Sequence, residues 1–293
     1  MESLNNLENE SLSIIGDTLK NAENPLILYS IGKDSSVLLH LFRKYFYPLN
    51  VPIKLLHIDT GWKFSSMIEF RDNIAKKYQL NLDVYKKENK EEITPFNSDK
   101  YTDIQKTQAL KEALKLENYD IVYGGARRDE EVSRSKERVV SHRNKFNAWD
   151  PKKQRIEPWL IFNLEKSKEE SFRVFPLSNW TELNIWEYIK KENIEIVPLY
   201  FAKKRKVVLR NEQYFLLDDN RFELVESDTV LEKVVRFRTL GCYPLTAGIE
   251  SNANNVDQII DELKKEKNSE RAGRLIDKDK TGSMELKKRE GYF

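Results

Sequence analysis

The stretch Ser30-Ile31-Gly32-Lys33-Asp34-Ser35-Ser36 constrains this chain more than any other. It follows an apolar run, Leu26-Ile27-Leu28-Tyr29, and precedes a helical pattern in Val37, Leu38, Leu41 and Phe42. That order predicts a strand, a tight turn of small residues, and a helix start. A helix N-terminus exposes backbone N–H groups equivalent to roughly half a positive charge. Phosphate is the anion most suited to such an end. Gly32 permits close backbone approach, and Lys33 adds a mobile charge. The stretch is not a Walker A loop, because the first glycine of that motif would fall at Ile27.

Strands and helices alternate around this loop. Leu4, Leu7, Leu12, Ile15 and Leu19 recur at near-helical spacing in a lead-in helix that ends before Pro25. A second strand is predicted over 53–58, a helix over 64–78, a third strand over 80–85, a long helix over 101–116 and a fourth strand over 121–123. A fifth is predicted at 172–175, and Thr181 caps a helix that follows it. Residues 149–170 read as an excursion, and 206–225 as a hairpin turning near Asn211-Glu212. The pattern predicts an α/β fold, a doubly wound and mostly parallel sheet, with a smaller C-terminal attachment. The expected units are 1–195 for the nucleotide-binding domain and 196–293 for an attachment that closes over the sheet edge. Loops 30–36, 59–62 and 124–131 each follow a strand's carboxyl end, so one sheet edge gathers all three.

Composition narrows the classes. The chain has 293 residues, 33% of them charged, yet its formal net charge is only +2, so any basic site is local. No segment resembles a signal peptide or approaches ~18 apolar residues, the length of a membrane span. One cysteine, Cys242, leaves no internal disulfide and no Cys-based zinc or iron–sulfur site; no redox cofactor is expected. A cytoplasmic enzyme or enzyme subunit, binding neither nucleic acid nor membrane, is the expected class.

The second strong signal is Gly124-Gly125-Ala126-Arg127-Arg128-Asp129-Glu130-Glu131. Two glycines permit a tight turn, from which Arg127 and Arg128 project toward the ligand edge. Arginine forks match tetrahedral oxyanions bidentately. Residues 130–138 read instead as a charged, solvated helix face with pairs such as Glu130–Arg134. Asp34 and Asp59 either hold Mg²⁺ with the phosphates or cap a helix and a turn. Arg236 and Arg238 sit in an otherwise apolar loop with Gly241, Cys242 and Pro244. Cys242 has no evident partner base and reads as a small buried residue rather than a nucleophile.

With these residues in place, the chain resembles the small-subunit family of bacterial sulfate adenylyltransferases, within the PAPS-reductase-like PP-loop group. Residues 30–35 match the S-x-G-K-D-S form of the pyrophosphate-binding loop. Further matching blocks include His57-Ile58-Asp59-Thr60, Trp62-Lys63-Phe64, Thr102-Asp103 with Lys106-Thr107-Gln108, residues 124–131, 149–151, 175–183, 196–202, 235–246, 282–284 and the terminal Glu290-Gly291-Tyr292-Phe293. Residues 203–234 match only loosely. The resemblance implies an adenine-nucleotide alpha-hydrolase-like fold and the conversion of ATP and sulfate to adenosine 5′-phosphosulfate and pyrophosphate. It places ATP, with Mg²⁺, on Ser30, Gly32, Lys33, Asp34, Ser35, Ser36, Asp59, Gly124 and Gly125. Lys33, Arg127 and Arg128 are then the expected catalytic residues, and Arg128, Arg236 and Arg238 the candidates for sulfate. It also implies a larger GTPase subunit as partner, since this chain has no Walker A loop. Lys287-Lys288-Arg289 and residues 203–234 are either docking surfaces for it or solvated segments.

Three other readings compete with this one. A sulfonucleotide reductase of the same fold needs a C-terminal cysteine, and the tail has none. A PP-loop adenylyltransferase making FAD, or activating a nucleobase for thiolation, is another; the latter would call for relay cysteines or an RNA-binding surface. A non-catalytic nucleotide-binding subunit is the third, and the intact residues 30–35 and 124–128 speak against it.

Overall fold

A computed structural model describes residues 2–88, 93–95, 98–130 and 132–265. Glu131, the tail residues Lys287, Lys288 and Arg289, and the matching blocks 282–284 and 290–293 lie outside the described residues. Six strands form the main sheet: β1 (Pro25–Leu28), β2 (Lys54–Ile58), β3 (Leu82–Tyr85), β4 (Ile121–Tyr123), β5 (Val140–Arg143) and β6 (Ser171–Val174). Their order is β3-β2-β1-β4-β6-β5, parallel throughout except for β5, which runs antiparallel to β6. The chain leaves β1 for β2 on one side and later returns to β4 on the other. The crevice between the carboxyl ends of β1 and β4 is therefore the switch point where such sheets bind ligands.

Alternation along β1 explains the layers. Leu26 faces a small cluster with Leu56, Leu110, Leu114 and Val122, while Ile27 faces the large one. Helix α5 (Ala109–Leu116) covers the first face. Helices α1 (Glu2–Leu19), α2 (Lys33–Phe46) and α7 (Glu182–Glu192) pack together on the other. Ser11 Oγ donates to the Pro176 carbonyl at 2.8 Å and accepts from Trp180 Nε1 at 3.0 Å, fastening α1 to the loop before α7.

Thr181 caps α7 through a reciprocal box with Asn184, as the sequence predicts. The expected long helix begins earlier, at α4 (Ser98–Thr102), and carries a π-helical segment at Asp103–Gln108 before α5. The strand β5 was not anticipated: residues 140–143 are buried along their whole length and so show no alternation. The hairpin forms from β7 (Lys203–Arg210) and β8 (Gln213–Leu216) around Asn211 and Glu212, both at positive φ. It ends at Leu216, short of the expected 225, and β9 (Thr229–Arg236) and β10 (Ile249–Glu250) extend it into a four-stranded antiparallel sheet of order β10-β9-β7-β8. Phe237 and Tyr243, from the chain after β9, pack on Phe64 at the edge of the main sheet.

Candidate active site

A cavity of about 280 Å³ opens at the switch point. Of the nine residues expected to hold the nucleotide, Ser30, Gly32, Lys33, Asp34, Ser35 and Gly125 line it. Ser36 lies in the first turn of α2, its N–H donating to the Gly32 carbonyl at 3.0 Å, and is not on the wall. Gly124 donates its N–H to Val174 at 2.9 Å and stays in the sheet. Asp59 closes a turn by accepting the Gly61 N–H at 2.8 Å and is not on the wall.

Backbone shapes the end of the cavity at residues 30–36. Helix α2 starts at Gly32 with no side-chain cap, which leaves its positive end for the ligand edge. The residue in the left-handed region is Ile31 (φ 70°), not Gly32, whose φ of −68° suits any residue. The glycine required sterically is Gly125: a Cβ there would sit 3.1–3.2 Å from the Asp34 and Ser35 backbone. Lys33 is buried, with Nζ 3.5 Å from Asp34 Oδ2. Its N–H donates to the Tyr200 hydroxyl at 2.9 Å, bringing the C-terminal part of the chain onto the loop.

The arginines are placed differently from expectation. Arg127 Nε donates to Asp34 Oδ1 at 2.6 Å, and Nη1 lies 3.6 Å from Asp129 Oδ2, so it fastens the third loop to the first. Arg128 Nη1 donates to Asn179 Oδ1 at 2.7 Å. Arg238 forks onto Glu182 at 2.8–3.3 Å. Arg236, buried, donates to Glu262 Oε2 at 2.9 Å and Ser251 Oγ at 3.2 Å, beside α8 (Val256–Lys265). None of the four lines the cavity, contrary to the reading that put sulfate on Arg128, Arg236 or Arg238. Arg127, Arg236 and Arg238 take nearby carboxylates, as a partly buried guanidinium does, and Arg128 takes an amide oxygen.

The basic residues that do face the cavity are Lys33, Lys63, Lys106 and Arg134, opposed by Asp34 and Glu130. Lys106 comes from the π-helical segment, and such segments often mark functional sites. Arg134 had been read as part of a solvated helix face, yet it is buried. No spacing rule marks Lys63 or Lys106, since each stands alone in a different loop or helix. At the other end Leu28, Leu56, Ile58 and Leu110 form an apolar wall.

Two titrating groups report the local field. Burial holds His57 near pKa 4, helped by the charge of Lys63. Its Nδ1–H donates to the Tyr29 carbonyl at 2.9 Å, so the neutral ring keeps Nε2 as an acceptor. For Cys242, burial pushes the thiol up, but Lys106, Lys63 and hydrogen bonds with Thr60 and Tyr101 outweigh it and bring it to about 6. Cys242 is buried, as expected, and lines the cavity as well. Both shifts follow from a positive potential in a confined space. No helix among the described residues is long and apolar enough to cross a membrane.

A cleft with an apolar slot, an uncapped helix start and converging cations is of a kind that suits a nucleotide. The model of the phosphoadenosine phosphosulfate reductase domain family matches residues 24–248. FMN adenylyltransferase from Candida glabrata, solved in complex with ATP, superposes with a TM-score of 0.51 at 16% identity, over 96% of this chain and 89% of that one; the likeness is one of fold. Sulfate adenylyltransferase subunit 2 of Pseudoalteromonas translucida is 57% identical over 294 residues, 99% of this chain and 98% of its own length. Its counterpart in Zymomonas mobilis is 56% identical over 99% of this chain and 97% of its own. Identity at this level over the full length leaves one conclusion: the chain belongs to the sulfate adenylyltransferase subunit 2 family.

Proposed function

We propose that this chain is the adenylyl-transferring subunit of a sulfate adenylyltransferase, converting ATP and sulfate to adenosine 5′-phosphosulfate and pyrophosphate in sulfate assimilation. The observation that carries the reading is the joining, at one switch point, of the uncapped start of α2 to four basic side chains and an apolar slot. The slot formed by Leu28, Leu56, Ile58 and Leu110 takes the adenine, and the α2 start with Lys33 takes the β and γ phosphates. A sulfate oxygen attacks the α-phosphorus in line, the new S–O–P bridge forms, and the bond to the β-phosphate oxygen breaks with its electron pair leaving on pyrophosphate. Sulfate is a dianion at neutral pH, so no general base is needed. Catalysis rests on positioning and on neutralising charge.

Lys33 offsets the charge on the leaving pyrophosphate. Arg127 acts as a positioning residue, holding Asp34 and the loop at 124–130 in register. Mg²⁺ takes one or two carboxylates with phosphate oxygens and water completing its shell. Asp34 and Glu130, the carboxylates on the cavity wall, fit that set; bound there, the ion would offset phosphate charge. Among the described residues no cluster of three or more metal-binding side chains occurs.

The phosphosulfate anhydride lies uphill of ATP and sulfate. A partner subunit, implied by the "subunit 2" in the relatives' names, is assigned the GTP hydrolysis that drives synthesis, in the cytoplasm where both nucleotides are abundant. The test combines this chain with that GTPase subunit, ATP, GTP and Mg²⁺, and follows pyrophosphate release with and without sulfate. Sulfate-dependent release is expected. Release that ignores sulfate, or none at all, would overturn the reading.

A further inference from the structure

Beside the cavity lies a charged cluster that the reaction as described does not use. Arg173 pairs in parallel register with Val122, on the sheet face whose Leu56 and Leu110 also wall the cavity. Across the antiparallel pair Arg173 meets Ser141, and Arg143 stands two residues further on, so the three side chains share that face. Both guanidinium groups are buried, each residue only 1% exposed. Glu137 is the carboxylate between them: it accepts from Ser141 Oγ at 2.9 Å and Arg143 Nη2 at 2.7 Å, and its other oxygen lies 3.8 Å from Arg134 Nη1. Arg173 gets no hydrogen bond from it. Both terminal amino groups of Arg173, and Nη1 of Arg143, have no hydrogen-bond partner. Burial, then the neighbouring charge of Arg143, lowers Arg173 to about 9.

Two buried forks sharing one carboxylate are strongly unfavourable unless something else meets their donors. The cluster is connected to the cavity through Arg134, which touches Glu137 on one side and lines the cavity on the other. A tetrahedral oxyanion offers each fork the bidentate partner it lacks. We propose that Arg173 and Arg143, which do not line the cavity themselves but adjoin it through Arg134, form the site that binds the sulfate dianion. The inference rests on the function proposed above and sets Arg173, both of whose terminal amino groups are unpartnered, before Arg128, Arg236 and Arg238, which donate to Asn179, Glu262 and Glu182.

The test uses the full chain with its GTPase partner and varies sulfate and ATP separately. Arg173→Met keeps the volume and removes the fork. Its KM for sulfate should rise about tenfold or more, the scale of one lost charge-assisted pair, with the KM for ATP unchanged. A rise in the KM for ATP alone would mean that the arginines hold a nucleotide phosphate, and would overturn the proposal while leaving the adenylyltransfer reading intact. Unchanged constants for both, with higher thermal stability, would mean a purely structural cluster and overturn it too. Loss of sulfate-dependent pyrophosphate release in the unmodified complex would instead strike at the function itself. Should Arg173→Met not fold, Arg173→Lys and binding of radiolabelled sulfate to the unmodified chain decide. Saturable binding that Arg173→Lys weakens supports the pocket, and binding unaffected by that change refutes it.

Discussion

At the residue scale, three positions in the loops do different work from that suggested by residue type. Gly32 adopts an ordinary φ, Ile31 takes the left-handed conformation, and Gly125 is the glycine that space demands. Lys33 is the charge closest to the helix start. Lys33→Ala should lower turnover by about 10²–10³, the usual effect of removing one preorganised charge-stabilising donor, with an unchanged circular dichroism melt; near-normal turnover would exclude its role. His57 gives a pH signature. Its folded pKa of about 4 lies below the ordinary 6.5, so between these values the unfolded chain binds a proton that the folded one refuses. Its full contribution is present above pH 6.5 and is lost as pH falls toward 4, by about 3 kcal/mol in total. Chemical denaturation between pH 7 and 4.5 should show this slope, and His57→Gln should flatten it. An equally steep slope in the variant would contradict the assignment.

At the scale of elements, the capping box at Thr181 predicts its own test. Thr181→Ala removes the acceptor for the Asn184 N–H and should lower stability by about 1 kcal/mol, read as a shift in the denaturation midpoint; no shift would mean that the Asn184 arm alone suffices. This helix start was legible because capping is local chemistry. So were β1, β2 and β4, whose apolar runs end at loops with turn residues. Other elements were not legible for physical reasons. Buried on both faces, β5 has no period to read, and the π-helical segment breaks no rule of composition. The site divides the same way. Ser30, Gly32, Lys33, Asp34, Ser35 and Gly125 belong to contiguous motifs, and the structure places them on the cavity wall. Lys63, Lys106 and Tyr200 fall in blocks that carry the resemblance, but that they and Arg134 share one wall comes from tertiary packing. Arg127 and Arg128 sit in the loop after β4, but whether a guanidinium faces the cavity or an acceptor within the protein depends on Asp34 and Asn179, remote in sequence.

At the scale of the whole molecule, the C-terminal part of the chain reaches the loop at the start of α2 rather than merely covering the sheet edge. The 3₁₀ turn Pro198–Tyr200 brings the Tyr200 hydroxyl to the Lys33 N–H at 2.9 Å. Trp186 stacks edge-on against the same ring, at 5.5 Å between centroids, and fixes it. A phosphate oxygen arriving at the start of α2 must therefore share or displace the hydroxyl. Tyr200→Phe keeps the ring and its packing but removes the acceptor. The variant without nucleotide should lose about 1 kcal/mol, the net worth of a neutral hydrogen bond. With ATP the amide is met by phosphate instead, so part of that loss should be recovered. The melting temperature should then rise more on adding ATP in the variant than in the parent chain. A smaller rise would mean that Tyr200 stays in place and its hydroxyl helps to hold the nucleotide. Thermal shifts for both chains across an ATP titration separate these outcomes, since competition and assistance move the increment in opposite directions.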